Sequence, residues 1–244
     1  MRTLTAADVI SLWEMGHQRS SMDQAVTVLA AAHPEATGEQ LWALTLGQRN
    51  AHLLAVRERI FGPELGAFSE CLNCGKPLEF WLSSDLIKKA SQRQGTETEF
   101  DLTVAGYSLQ FRPLDSLDLK AASACADVES ARRLLAERCV LNAKRDEEPV
   151  SVDELPGTLI EQLASRLSEC DPQAELLIDL KCPACDSAWQ AAFDIAAFVY
   201  DEIGAHARRL LREVHALARA YAWSEGDILS MSAQRRRHYL EMLE

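Results

Sequence analysis

Two cysteine pairs carry the clearest chemistry in this sequence: Cys71-Leu72-Asn73-Cys74 and, far downstream, Cys182-Pro183-Ala184-Cys185. Each C-x-x-C is followed by a turn residue, Gly75 or Asp186, and each sits between strand-like stretches. Ala67–Glu70 and Pro77–Leu82 flank the first pair; Leu176–Lys181 and Trp189–Phe193 flank the second. A strand, a C-x-x-C turn and a returning strand form half of a zinc ribbon. Two halves supply four thiolates, the tetrahedral soft-ligand set that Zn²⁺ takes in closed structural sites. Cys71, Cys74, Cys182 and Cys185 are therefore the expected ligands of one structural Zn²⁺. Residues 75–181 separate the pairs, far more than the about 15–20 residues of a compact two-knuckle site. A redox dithiol and unmetallated buried cysteines are the alternatives. A C-x-x-C dithiol ordinarily opens a helix in a thioredoxin-like βαβ unit, and neither pair precedes such a pattern.

The elements around these pairs set the expected architecture: α+β and predominantly helical. It comprises an amino-terminal helical segment (1–66), a discontinuous zinc-ribbon-like pair of hairpins (67–85 with 175–194), a mixed α/β insertion (86–174) and carboxy-terminal helices (195–244). Thr5 and Asp8 form a capping-box pattern, and a second helix over 22–32 ends at His33-Pro34. Gly47 is the expected break in the next helical stretch, and Gly62-Pro63 its end. In the insertion, a short helix is expected over 82–90 and a loop over 92–96. Alternation on either side of Ala105-Gly106 predicts a hairpin. Asp115 or Ser116 caps a short helix, 128–141 reads as helix, Lys144–Pro149 as a charged loop, and a helix starts at Ser151 or Asp153. One apolar stripe runs from Phe198 to Tyr221, and Ser224 and Ser232 cap two last helices. Cys125, Cys139 and Cys170 have no partner spacing and read as small buried hydrophobes.

Charge and composition bound the function. The 244 residues carry a net charge of −12, and residues 195–244 hold seven Arg against seven acids, so the excess lies upstream. An acidic balance disfavours nucleic acid, whose phosphates need a basic surface. No apolar run approaches a membrane span, and the first residues lack a secretory core. Seven cysteines, an odd count, suit a reducing compartment, and a cytoplasmic location is expected. No phosphate-cradling glycine loop, nucleophile elbow or H-E-x-x-H is present, so a non-enzymatic role is expected. Arg208, Arg212, Arg219, Arg235, Arg236 and Arg237 are the expected partner-binding residues, on helix faces presented to a partner.

Leu44-Thr45-Leu46-Gly47-Gln48-Arg49-Asn50-Ala51-His52-Leu53-Leu54, leading into Cys71–Gly75, resembles the baseplate hub assembly chaperone family of T4-like phages. So do Phe193-Asp194-Ile195, the Leu210–Ala218 helix and Tyr221–Glu225. Similar proteins are encoded with phage-tail-like contractile injection systems. The resemblance spans most of 1–85 and 180–244; residues 86–170 are less distinctive. It implies a role in building a contractile tail's baseplate, as a chaperone or a minor retained component, with baseplate or hub proteins as partners. The zinc expectation rests on this chain's own cysteines. The reading from another class is a zinc-ribbon nucleic-acid-binding or transcription-associated protein.

Overall fold

The computed structural model describes residues 1–85, 87 and 98–243. Thr5 accepts from the Asp8 N–H and Asp8 accepts from the Thr5 N–H, which starts α1 (Ala6–Gly16). Ser20 caps α2 (Ser21–Ala32), which stops before Pro34 as expected. After α3 (Gly38–Trp42) the chain breaks at Ala43–Thr45, earlier than Gly47. Thr45 and Gln48 close a reciprocal capping box, both bonds 3.2 Å, so Gly47 falls inside the first turn of α4 (Leu46–Phe61). Gly62, at φ +90°, ends α4 with a bend that an L side chain resists.

The chain then folds into a first hairpin, β1 (Glu64–Glu70) with β2 (Pro77–Ser83). Ser84 and Asp85 begin a helical turn; the rest of the helix expected to Ala90, apart from Ile87, and the loop over 92–96 lie outside the described residues. β3 (Phe100–Val104) and β4 (Tyr107–Phe111) meet at Ala105-Gly106, both in the left-handed region that a tight two-residue hairpin turn requires. Asp115 caps α5 (Ser116–Ala122) and Asp127 caps α6 (Val128–Cys139).

Two expectations fail in this stretch. The helix expected to reach residue 141 stops at Cys139. Val140 begins β5 (Val140–Arg145) directly and pairs with Phe111, leaving only residues 146–147 of the expected loop before β6 (Glu148–Pro149). A four-stranded antiparallel sheet results, in the order β3-β4-β5-β6. The helix expected from Ser151 or Asp153 is split by Leu155-Pro156 into a short 3₁₀ turn (Val152–Glu154) and α7 (Gly157–Cys170). The sheet and helices close over Leu109, Phe111, Ala136, Cys139, Ala143, Leu159 and Leu163. A second hairpin follows, β7 (Leu177–Lys181) with β8 (Ala188–Ala192), and then α8 (Ile195–Tyr221), α9 (Glu225–Ser230) and α10 (Ala233–Glu241). The observed class is α+β, with ten α-helices among the described residues.

The chain divides into two compact units, residues 1–37 with 195–244, and residues 38–194. The helices of residues 1–66 are divided between them at residue 37. In the first unit, Val9, Ile10 and Leu12 of α1 and Val26 and Leu29 of α2 are buried, as are Val199, Ile203, Ala207 and Leu210 of α8. Its far end holds Tyr221 stacked on Trp223, with Tyr239 edge-on to both. The second unit contains α3 to α7, the four-stranded sheet and both cysteine-bearing hairpins. No helix among the described residues is long and apolar enough to cross a membrane.

Candidate metal centre

The two hairpins present their cysteines with one backbone design. Glu70 pairs with Pro77 at the tip of the first, and Lys181 with Ala188 at the tip of the second, so each loop spans the same six positions. The Cys71 N–H donates to Lys76 O and the Gly75 N–H to Cys71 O, both at 2.9 Å. Cys182 N–H to Ser187 O and Asp186 N–H to Cys182 O repeat those bonds at the same distance. Both loops leave the second cysteine through a left-handed residue, Gly75 (φ +68°) or Asp186 (φ +56°). Asp is among the side chains that tolerate this region.

Asn50 and Arg57, two turns apart on α4, bond the chain near the roots of the two hairpins. Arg57, 2% exposed, donates to the carbonyls of Gly62 and Glu64, where β1 begins. Two turns earlier, Asn50 donates to Gln173 O at 2.8 Å, just before β7, and the Gly47 N–H donates to Asp171 Oδ2 at 2.8 Å. Arg49 bonds Asn50 Oδ1 at 2.9 Å; burial lowers its pKa, opposed by Asp194 and Asp171. A buried polar ladder on α4 thus holds both roots while the tips carry the thiols. Sequence reading missed it, because Gln48-Arg49-Asn50 and Arg57 look like an ordinary solvated helix face.

The tips bring all four sulfurs together, each within 4.8 Å of the others. Cys71 Sγ lies 3.6 Å from Cys185 Sγ, and Cys74 Sγ 3.7 Å from Cys182 Sγ. A tetrahedral ion with bonds of about 2.3 Å spaces its sulfurs about 3.8 Å apart, whereas a disulfide brings them to about 2.05 Å. The observed separations match the first arrangement and not the second, so the set fits a metal ion. Backbone N–H groups favour the thiolates: Ala184 N–H lies 3.4 Å from Cys182 Sγ, and Lys76 and Ser187 donate to Cys74 and Cys185. The Ser187 bond, followed by Asn73 Nδ2 at 3.7 Å, lowers the Cys185 pKa to about 6. Cys74 has the Lys76 N–H in its favour, yet burial and its three thiol neighbours push it up to about 11. Asn73 is a supporting residue that the C-x-x-C pattern alone does not announce.

The remaining candidates separate. Cys139 is buried in the sheet core, where burial pushes its thiol up to about 12 and its S–H faces Ala136 O at 3.5 Å. Arg208, Arg212 and Arg219 are exposed along one stripe of α8, and Arg235 and Arg237 are exposed on α10. Arg236 is not. At 4% exposure it bonds Glu213 at 3.0 Å and Met231 O at 2.6 Å, locking α10 to α8. The expected continuous Arg235–Arg237 surface is therefore broken at its centre by the helical turn. Comparison with known protein families, characterised proteins and solved structures found no match to this chain.

Proposed function

We propose that the chain is a non-enzymatic baseplate assembly factor of a contractile phage tail or tail-like injection system, built on a zinc-ribbon-like pair of hairpins. Cys71, Cys74, Cys182 and Cys185 hold one structural Zn²⁺ in this reading. The observation that supports it best is the closed thiol set, with four sulfurs from two matched tips at tetrahedral spacing. Four thiolates leave no position for water or substrate, so the ion staples the fold instead of performing catalysis. An S₄ set also accepts iron, and elemental analysis separates the two metals.

The baseplate half rests on the sequence resemblance, and the residues that carry it are placed under structural demand. Thr45 and Gln48 cap α4, Asn50 holds the second hairpin's root, and Glu213 holds Arg236. The partner surface in this reading is the α8 stripe of Arg208, Arg212 and Arg219, extended by Arg235 and Arg237. Positive charge there steers encounter with an acidic baseplate or hub subunit. The protein acts in the cytoplasm and is released or retained when the particle matures.

The test is a deletion strain complemented with wild type or with Arg208→Glu/Arg212→Glu/Arg219→Glu, scored by counting intact sheath-tube particles. Few particles in the deletion strain and a lowered count with the triple variant, at unchanged metal content, are expected. Normal particles from the deletion strain contradict the assembly role.

A further inference from the structure

The outward face of the first hairpin is not an ordinary solvated strand surface. Glu64, Gly66, Phe68 and Glu70 of β1 point to one side, opposite Ser83, Trp81, Glu79 and Pro77 of β2. Phe68 is 60% and Trp81 74% exposed. They are diagonal neighbours on that face, because Phe68 stands opposite Glu79 and Trp81 follows two residues later. Trp81 is also seated: it lies against Gly66, where an added Cβ would come within 3.0 Å of the indole ring. A larger residue at 66 would press on the ring from the neighbouring strand. Glu64, Glu70 and Glu79 surround the two rings, all exposed, and none forms an ion pair among the described residues. Lys76, in the loop at the tip, is the one nearby cation of the hairpin.

We propose that this face is a docking surface for a cationic segment of a partner protein. Its Arg or Lys side chains lie over Trp81 and Phe68, and their charges are met by Glu64, Glu70 and Glu79. The charge pattern selects this occupant. Aromatic faces attract cations, the three carboxylates add hydrogen-bonding acceptors around them, and the same carboxylates repel acidic segments and phosphates. Arginine is favoured over lysine, since its planar guanidinium stacks on an indole while its edge bonds a carboxylate. The surface belongs to the other compact unit than the α8 arginines and recognises the opposite charge, so it gives the chain a second partner interface. It does not depend on which ion the four thiols hold.

The test uses the full metal-loaded chain and a peptide of alternating arginine and glycine, with lysine–glycine and glutamate–glycine peptides as comparisons. Titration is followed by the Trp81 indole N–H resonance, and zinc content and far-ultraviolet circular dichroism are checked for each variant. The arginine peptide is expected to bind more tightly than the lysine peptide, and the glutamate peptide not at all. Trp81→Ala weakens binding by roughly tenfold or more, as loss of a desolvated cation–π contact implies. Gly66→Val, which keeps the tryptophan but lifts its ring, weakens binding several-fold. Glu64→Gln/Glu70→Gln/Glu79→Gln does the same without touching either ring. Removing equal charge elsewhere, with Glu147→Gln/Glu148→Gln/Glu161→Gln, leaves binding nearly unchanged. Equal binding by the wild type, the Trp81→Ala variant and the three-glutamine hairpin variant overturns the proposal, because the chain's net charge alone then accounts for the attraction. Self-association of the free chain that Trp81→Ala abolishes also overturns it, since a second copy then occupies the face. A chain without zinc that still binds the arginine peptide through Trp81 contradicts only the metal reading above.

Discussion

The two hairpins share a backbone and differ in nearly everything else. Their tips have the same register, the same pair of 2.9 Å loop bonds and a left-handed residue in the same place. Their outward faces diverge: Phe68 and Trp81 among glutamates on the first, but Leu177, Asp179, Lys181, Ala188, Gln190 and Ala192 on the second. Their roots are also held by different chemistry, Arg57 for the first and Asn50 for the second. The positions that aim the sulfurs follow one solution, and those that do not are free to serve other ends.

Removing the shared element should affect both hairpins most. Structural zinc in small peptides contributes on the order of 10–16 kcal/mol, comparable with a whole domain's stability. Chelation is expected to abolish hydrogen-exchange protection over 67–85 and 175–193 together, while the helices of the first unit keep theirs. Loss in only one hairpin breaks the equivalence.

Removing the unshared root contacts should separate the hairpins. Arg57→Met deletes charge-assisted bonds to two carbonyls and should cost about 2–4 kcal/mol, with exchange rising first in β1 and β2. Asn50→Ala deletes the bond to Gln173 O and also strips buried Arg49 of its Asn50 Oδ1 acceptor, so it should cost about 2–4 kcal/mol, with the rise in β7 and β8. Denaturant melts and site-resolved exchange check both; the reverse assignment contradicts the root-by-root account.

Acid provides a third separation, between the hairpins and the sheet of the same unit. Protons would compete with an ion held by the four thiolates, so the tips should open first as pH falls. Asp118, fully buried, behaves differently. Burial alone would raise its carboxyl, but Arg112 at 2.7 Å, the Asp115 N–H and Arg138 at 2.7 Å hold it below the usual carboxylate range. A depressed folded pKa stabilises fully above the unfolded value of about 3.9 and is lost as pH falls through the folded one. Zinc release is thus expected at higher pH than loss of the β3–β6 sheet, followed with a zinc-sensitive dye and exchange in β4. Simultaneous loss contradicts it.

These contrasts mark what was legible in the sequence. The knuckles, the Thr5, Asp115, Ser224 and Ser232 caps and the Ala105-Gly106 turn are local, each set by residues within a few positions of one another. β5 was hidden because it starts without a break after α6 and its partner, β4, lies some thirty residues upstream. Gly47 has the look of a helix breaker, but Thr45-Leu46-Gly47-Gln48 is a capping box that carries it into the first turn. Arg49, Arg57 and Arg236 are buried, although nothing in their helical pattern marks them out. Burial of a charged helix residue depends on where distant chain returns, and nothing in a helical repeat announces it.

The smallest effect should come from the left-handed position that the tips fill with different residue types, Gly75 and Asp186. Gly75→Val places a β-branched side chain at φ +68° and should cost about 1–2 kcal/mol. Asp186→Gly relieves the same conformation and should change stability by less than about 1 kcal/mol, in the stabilising direction. Thermal melts of the two variants read the difference directly.

The central claim is that the two tips share one ion. Zinc K-edge absorption with elemental analysis, on wild type and on Cys71→Ser/Cys182→Ser, tests it most directly. One zinc per chain with four sulfurs at about 2.3 Å, and none retained by the double variant, is the expected result. Zinc content unchanged by the double substitution, or a shell with fewer than four sulfurs in the wild type, contradicts it.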